Sequence, residues 1–236
     1  FVGFEGAVEA LEASVWEGTE TLASTLLAFA AYAELRLGDG DGGIAGRELD
    51  ARARRVARRL LALQTYDGGF GRWSSGAGSL PLETTLATHA LTAAARRGWV
   101  DDEPAVTRAL ERLTAFTTGA AFGDHYGDGA LDEVAFALRV LARAGRPQTA
   151  RADAVFEQRE RLSPAGRAQL ALALGPDDAR TDTLVVEALR FALATREDEA
   201  TDPSLLRWRD PSPRVLGPVL EAASAFEVGH ARAGAV

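Results

Sequence analysis

LQTYDGGFGRW, residues Leu63 to Trp73, is the segment of this sequence that says most about its architecture. It contains the glycines that permit a tight turn with positive φ angles, namely Gly68, Gly69 and Gly71. Two large aromatic side chains, Phe70 and Trp73, can close the end of a helical layer. Because an amphipathic helix pattern precedes the stretch and an apolar helix pattern follows it, we predict a corner between two packed helices.

The helix before this corner has one narrow apolar face, formed by Val56, Leu60 and Leu63. The rest of its surface carries a dense set of arginines: Arg52, Arg54, Arg55, Arg58 and Arg59. This pattern predicts an outer helix with one packed side and one side in water. A charge run on such a helix is usually a solvated face, so we do not interpret the arginines as a nucleic-acid site.

Apolar helices alternate with amphipathic ones along the chain. Three segments are apolar almost all round, which predicts burial on several sides: Leu22 to Leu37, Leu82 to Ala95 and Leu131 to Ala144. Between them, Val106 to Phe116 is amphipathic. The buried segments recur at intervals of roughly fifty residues, which favours repeated helical hairpins over a four-helix bundle. We therefore predict an all-α fold, an α/α toroid with inner and outer helices.

Glycine, proline and serine mark the ends of the predicted helices. Gly145-Arg146-Pro147 ends one helix, Ser163-Pro164 begins the next, and Gly175-Pro176 ends that one. Further helices are predicted over Asp182 to Thr195 and Val215 to Phe226. Since no alternating apolar and polar run is bounded by hairpin turns, the sequence predicts no strands. A length of 236 residues suits one large domain or at most two small ones, and we predict a single domain over residues 1–236.

The composition limits what the protein can do. Of 236 residues, 47% are hydrophobic but only 7% are aromatic, which suits closely packed helices with small side chains. The net charge of -8 argues against a nucleic-acid partner, and no apolar run is long enough to span a bilayer. The chain has no cysteine, which excludes disulfides, thiolate metal sites and cysteine nucleophiles. It also has no methionine and begins at Phe1, so we expect a piece of a longer protein.

The corner resembles that of the α/α toroids found in terpene cyclases, protein prenyltransferase β-subunits and the thioester domains of complement and alpha-2-macroglobulin. Its matching residues are Gln64, Asp67, Gly68, Gly69, Phe70 and Trp73. Four more segments narrow the resemblance: WEGTETLAS at 16–24, LPLETTLATHALTAAARRGW at 80–99, LDEVAFALRVLARAGRP at 131–147 and LSPAGRAQLALALG at 162–175. Together they resemble bacterial alpha-2-macroglobulins over most of the chain.

The resemblance implies where a reactive thioester would be. In those proteins the first segment would read Tyr-Gly-Cys-x-Glu-Gln, with the Cys and Gln side chains joined. Here Gly18 stands at the Cys position, Glu20 matches the Glu, and Thr21 replaces the Gln. Glycine has no side chain and threonine has no amide carbonyl, so we expect that no activated acyl group forms.

A non-catalytic domain is what the resemblance and this substitution imply together. The expected partners are other domains of the same polypeptide and, through them, proteases. The resemblance also implies a periplasmic or secreted location and a role in protease trapping or envelope defence. No cofactor is expected.

An enzyme that uses the axial cavity of the toroid is the alternative. A terpene cyclase needs an acidic cluster, but Asp101, Asp102 and Glu103 are better explained as the start of an outer helix. A prenyltransferase needs a zinc site, for which the chain has no cysteine. A glycoside hydrolase needs two carboxylates across a cleft. Its candidates lie at inner helix starts, where capping explains them equally well: Glu83, Asp132 and Glu133.

A weak calcium motif follows the first apolar helix. Asp39, Asp41 and Glu48 fit the later part of an EF-hand loop, with Glu48 at the final ligand position. The first ligand position holds Leu37, which would remove one carboxylate from the site. We therefore interpret the segment as an acidic loop between helices.

Overall fold

The structure is a computed structural model that describes residues 18–36, 46–73, 76, 78–118, 129–192 and 217–225. The chain divides into two compact units, Phe1–Phe116 and Thr117–Val236. The regular structure of the described residues is helical, apart from one isolated antiparallel bridge between Gln64 and Phe70. The prediction of an all-α fold is therefore confirmed. The prediction of one domain over the whole chain stays a prediction.

The first unit is built from helical hairpins. Its helices are α1 (Thr19–Arg36), α2 (Gly46–Leu61), α3 (Pro81–Arg96) and α4 (Glu103–Thr118), the last of which ends two residues beyond the unit. Helix α1 packs against both α2 and α3. Its large side chains Leu26 and Phe29 are fully buried, as the apolar pattern of this segment predicts.

Helices α2 and α3 show the difference between an outer and an inner helix. The buried residues of α2 form a single stripe: Leu49, Ala53, Val56, Ala57 and Leu60. Helix α3 buries residues on several sides, including four threonines: Thr84, Thr85, Thr88 and Thr92. These threonines are short enough to let neighbouring helices approach closely. The hydroxyls of Thr85 and Thr92 donate hydrogen bonds to carbonyl oxygens of their own helix. The predicted inner and outer types are thus present in this unit.

The second unit continues with α5 (Gly129–Arg143), α6 (Thr149–Phe156), a 3₁₀ turn (Arg159–Arg161), α7 (Pro164–Leu174), α8 (Arg180–Ala192) and α9 (217–225). Helix α7 packs against both α5 and α8, and α6 contacts α5 and α7. The short helix α6 and the 3₁₀ turn are absent from the sequence prediction. Alanine-rich and charged residues at 149–161 show no clear apolar stripe, so their helicity depends on packing against α5 and α7.

The predicted helix ends in this unit are confirmed. Gly145 and Gly175 adopt φ angles of +75° and +88°, where a side chain would be strained. The Ser163 hydroxyl accepts a hydrogen bond from the Gly166 N–H at 3.1 Å and caps α7, whose first residue is Pro164. In the first unit, α2 ends at Leu61, so Leu63, which the sequence analysis placed on the apolar face of this helix, belongs to the corner. None of the helices within the described ranges combines the length and hydrophobicity of a bilayer crossing.

Candidate functional site

The corner at 63–73 is a tight hydrogen-bonded loop. The Thr65 N–H donates to the Gly69 carbonyl at 2.9 Å, and the Gly68 N–H donates to the Thr65 carbonyl at 3.0 Å. Gly68 has a φ of +84°, and a Cβ at this residue would lie 2.9 Å from the carbonyl oxygen of Arg108 in α4. Glycine is therefore required here both by its backbone conformation and by the closeness of α4.

The second glycine of the corner is required for a different reason. A Cβ on Gly69 would overlap the Cβ of Ser79, which lies in the segment that leads into α3. The next residue, Phe70, is fully buried, and its N–H donates to the Thr84 hydroxyl at 2.9 Å. Its carbonyl accepts from the Leu80 N–H at 2.9 Å. The corner is thus fastened to the start of α3 by both backbone and side-chain bonds.

The Asp67 carboxylate organises the inside of the corner. It accepts hydrogen bonds from the Thr65 hydroxyl at 2.5 Å, the Gly69 N–H at 3.2 Å and the Ser79 hydroxyl at 2.7 Å. Arg112 of α4 approaches the same carboxylate at 3.0 Å. Burial is the largest single influence on the pKa of Asp67 and raises it, but the hydrogen bonds and Arg112 together outweigh burial, so the pKa is lowered. The carboxylate is therefore charged and has a structural role.

Gln64 joins the corner to the beginning of α4. Its side-chain amide donates to the carbonyl oxygens of Gly68 and Ala105, each at 2.9 Å. Its amide oxygen accepts from Arg108 at 3.2 Å. Gln64 therefore fixes the corner, which lies between α2 and α3, against α4.

The segment that begins at Gly18 lies directly on this corner. The Thr19 N–H donates to the Arg72 carbonyl at 3.0 Å, and the Thr19 hydroxyl donates to the Gly71 carbonyl at 2.6 Å. Thr19 is fully buried. The structure thus brings together two groups of residues that the sequence analysis singled out separately, the start of α1 and the corner. Thr19 and Arg72, which make the contact, carry no signal in the sequence because their partners are more than fifty residues away.

The indole of Trp73 covers Gly18. A Cβ built on Gly18 would lie 2.9 Å from the ring atom Cζ3, 3.0 Å from Cε3 and 3.1 Å from the Arg72 carbonyl oxygen. Trp73 is 57% exposed, so its ring has solvent on one side and Gly18 on the other. The space that a side chain at position 18 would need is therefore occupied by this indole.

The remaining two positions of the predicted thioester segment lie in the first turn of α1. Glu20 is exposed, and Thr21 is half-buried, with its carbonyl accepting from the Thr25 hydroxyl at 2.8 Å. Neither a thiol nor a carboxamide is present at positions 18, 20 and 21. The polar side chains at these positions can make hydrogen bonds, and Glu20 carries a negative charge.

Two of the carboxylates that a glycoside hydrolase would need have structural contacts. Glu83, in the first turn of α3, is 8% exposed and accepts a hydrogen bond from Arg72 at 3.3 Å. Asp132, in the first turn of α5, accepts from the Ser163 N–H at 3.0 Å and so adds to the cap of α7. Desolvation by burial raises the pKa of Asp132, against the hydrogen bonds from Ser163 and the charge of Arg167, which lower it. A Cβ on Gly166 would overlap the Oδ1 atom of Asp132, which explains the glycine there.

The remaining acidic candidates belong to the calcium motif and to the cluster before α4, and only some of them lie within the described residues. Asp39 and Asp41 of the calcium motif lie outside the described residues, whereas Glu48 is in the first turn of α2 and pairs with Arg52 at 2.6 Å. Of the cluster before α4, Asp101 pairs with Arg54 at 3.2 Å. Asp102 accepts from the Ala105 N–H at 2.9 Å, so it caps α4, as the helix-start interpretation requires. Among the described residues, no group of three or more potential metal-ligating side chains converges.

Comparison with known proteins finds likeness at the level of structure. No protein-family model matches the sequence, and a search of curated proteins finds no match. Escherichia coli alpha-2-macroglobulin, in a structure from domain MG7 to the C-terminus, aligns with a TM-score of 0.67 and 22% identity over 94% of this chain. Salmonella alpha-2-macroglobulin reacted with methylamine aligns with a TM-score of 0.67 and 21% identity over 95% of this chain. The elastase-activated Escherichia coli protein aligns with a TM-score of 0.63 and 20% identity over 89%.

The alignments cover only part of those larger chains. This chain spans 38% of the first structure, 16% of the second and 22% of the third. At such sequence identities the likeness establishes the fold, and it confirms the all-α architecture of the toroid type that the sequence predicts. This protein therefore has the fold of one segment of the bacterial alpha-2-macroglobulins.

Proposed function

We propose that this chain is one domain of a larger alpha-2-macroglobulin-like polypeptide and that it acts by noncovalent packing. The fold supports this proposal, since nearly the whole chain aligns with a minor part of each matched protein. Its partners would be the other domains of the same polypeptide and, through the assembled protein, proteases. The matched proteins include forms activated by trypsin and by elastase, which makes those two proteases suitable probes.

The contact between Gly18 and Trp73 is the observation that carries the noncovalent part of the proposal. A covalent trap of this family type would need a cysteine side chain at position 18. Here the indole occupies that space, and the Arg72 carbonyl oxygen lies 3.1 Å from the position of a Cβ. With no cysteine anywhere in the chain, the start of α1 is a packed structural element.

A structural role also fits Asp67, Glu83 and Asp132 better than an enzymatic role does. Glu83 is paired with Arg72, Asp67 is surrounded by donors, and Asp132 caps a helix. A general acid or base must be able to meet a substrate, whereas each of these carboxylates is already engaged by the protein. We therefore propose that the domain is not an enzyme. By its likeness to the matched proteins, we propose a periplasmic or secreted location.

The proposal is tested by challenging the full-length protein with trypsin or elastase. Complexes are separated once by size-exclusion chromatography under native conditions and once by electrophoresis after denaturation. We expect the protease to co-elute with the protein under native conditions and to separate from it after denaturation. A denaturation-resistant adduct that maps to residues 18–21 would overturn the noncovalent proposal. The activity of the protease on a large protein substrate is measured in the same mixture. If the protease does not co-elute and cleaves this substrate as fast as the free protease does, the trapping role would be overturned.

A further inference from the structure

Helix α2 has a basic surface that the proposed function does not use. Its buried stripe faces α1 and α3, and the opposite side carries an arginine stripe, which we define as Arg47, Arg54, Arg55 and Arg58. At 100° per residue these four side chains fall within one arc of the helix, centred opposite the buried residues. Arg47, Arg55 and Arg58 are exposed, and Arg54 is half-buried.

The arginine stripe is a local cluster of positive charge on a protein with a negative net charge. The whole chain carries -8, but α2 holds six arginines against two carboxylates, Glu48 and Asp50. Glu48 pairs with Arg52, and Asp50 accepts from the Trp99 indole at 2.7 Å, so both acids are engaged by residues outside the stripe. In the part of the chain that the structure describes, no carboxylate pairs with Arg47, Arg55 or Arg58.

The spacing of the four arginines along α2 matches that of charged side chains along one face of another helix. Arg47 and Arg58 are separated by eleven residues, which is about 16 Å along the helix axis. Two small exposed residues, Ala51 and Ala62, lie on the same side and leave room for a partner to approach the guanidinium groups. A second α-helix laid along α2 has the same rise per residue. Glutamates at i, i+4, i+7 and i+11 of that helix would therefore meet the stripe in register.

Acidic residues lie beside the arginine stripe, and they favour a narrow acidic helix as the partner over a flat or very large polyanion. Asp101, which pairs with Arg54, is 77% exposed, and Asp102 and Glu103 follow it as exposed residues. A planar anionic membrane or a nucleic-acid duplex would bring its phosphates against these carboxylates, and like charges repel. A narrow helix laid along Arg47, Arg55 and Arg58 covers less of the surface around Asp101 than a plane or a duplex would. We propose that the arginine stripe of α2 is a docking surface for an acidic α-helix of a partner protein.

Binding of a synthetic helix to the complete chain tests this proposal. The probe is a fluorescently labelled alanine-based peptide of about 15 residues with glutamates at i, i+4, i+7 and i+11. Its affinity is measured by fluorescence anisotropy at about 0.02 M and about 0.15 M salt. The variant Arg55→Glu/Arg58→Glu is compared with Arg161→Glu/Arg190→Glu, which reverses two exposed arginines of the second unit. Circular dichroism checks that both variants keep the helical content of the wild type.

We expect the stripe variant to bind the peptide at least about tenfold more weakly than the wild type, and the control variant to bind it nearly as well. Affinity should fall with salt, and a peptide with the same glutamates distributed around the helix should bind several-fold more weakly. Equal binding of the two peptides would overturn the proposal, as would an equal loss in both variants. Tighter binding of anionic phospholipid vesicles or duplex DNA than of the ordered peptide would also overturn it. None of these outcomes depends on protease trapping.

Discussion

The Thr19 hydroxyl donates a 2.6 Å hydrogen bond to the carbonyl oxygen of Gly71, 52 residues further along the chain. This bond and the neighbouring one from the Thr19 N–H to Arg72 join the start of α1 to the corner between α2 and α3. The Thr19 hydroxyl oxygen and the Gly71 carbonyl oxygen are both buried, so water cannot replace either partner if the bond is lost. The start of α1, which the sequence analysis predicts to be a degenerate thioester segment, is held by these two hydrogen bonds.

Thr19→Val should destabilise the first unit by about 1–3 kcal/mol, because it keeps the shape of the side chain but leaves the Gly71 carbonyl without its donor. Thr19→Ser keeps the hydroxyl and should cost clearly less. Urea denaturation followed by circular dichroism gives the free energies of unfolding. If the valine variant is as stable as the wild type, the bond contributes nothing measurable.

Gly18→Ala should cost about 1–3 kcal/mol, since the new methyl group meets the indole of Trp73 and the Arg72 carbonyl. In a Trp73→Ala background the same substitution should cost about 1 kcal/mol less, because the ring is gone and the methyl group has space. The four proteins form a double-mutant cycle measured by denaturant unfolding. Strictly additive effects would show that the ring does not occupy this space in solution.

Asp67→Asn should lower the stability at neutral pH by about 2 kcal/mol, because the carboxylate accepts from two hydroxyls and a backbone N–H and lies beside Arg112. The pKa of Asp67 is lowered in the folded protein, so its contribution to stability is present above the unfolded value of 3.8 and is lost as pH falls through the folded value. The difference between wild type and variant should therefore shrink under acid conditions. Thermal melts over a pH series measure it, and a gap that grows on acidification would contradict this prediction.

Asp132→Asn should have the opposite pH dependence. Burial raises the pKa of Asp132, so its contribution to stability is fully present below 3.8 and is lost as pH rises through the folded value. The asparagine can still accept from the Ser163 N–H without a buried charge, so the variant should equal or exceed the wild type at neutral pH and lose that advantage in acid. Asp132→Ala removes the acceptor and should be about 1 kcal/mol less stable than Asp132→Asn. A neutral-pH loss in Asp132→Asn as large as in Asp132→Ala would show that the charge itself stabilises the cap.

Helix-forming patterns and helix ends could be predicted because they depend on residues that are close in sequence. The apolar pattern of 22–37 anticipated the burial of Leu26 and Phe29, and Ser163, Gly145 and Gly175 end or begin helices as local rules require. The short helix α6 was missed because it has no apolar periodicity of its own. Its order comes from contacts with α5 and α7.

The helical class, the corner at Asp67 to Gly69 and the absence of any thiol follow from residue type and local spacing alone. Helix packing is needed to explain three other features: the bond from Thr19 to the corner, the position of the Trp73 indole over Gly18, and the contacts of Asp67 with Ser79 and Arg112. These contacts join residues that are 12 to 55 positions apart. Such pairs meet only when whole helices pack, and no local rule of conformation or periodicity specifies which side chains will then face each other.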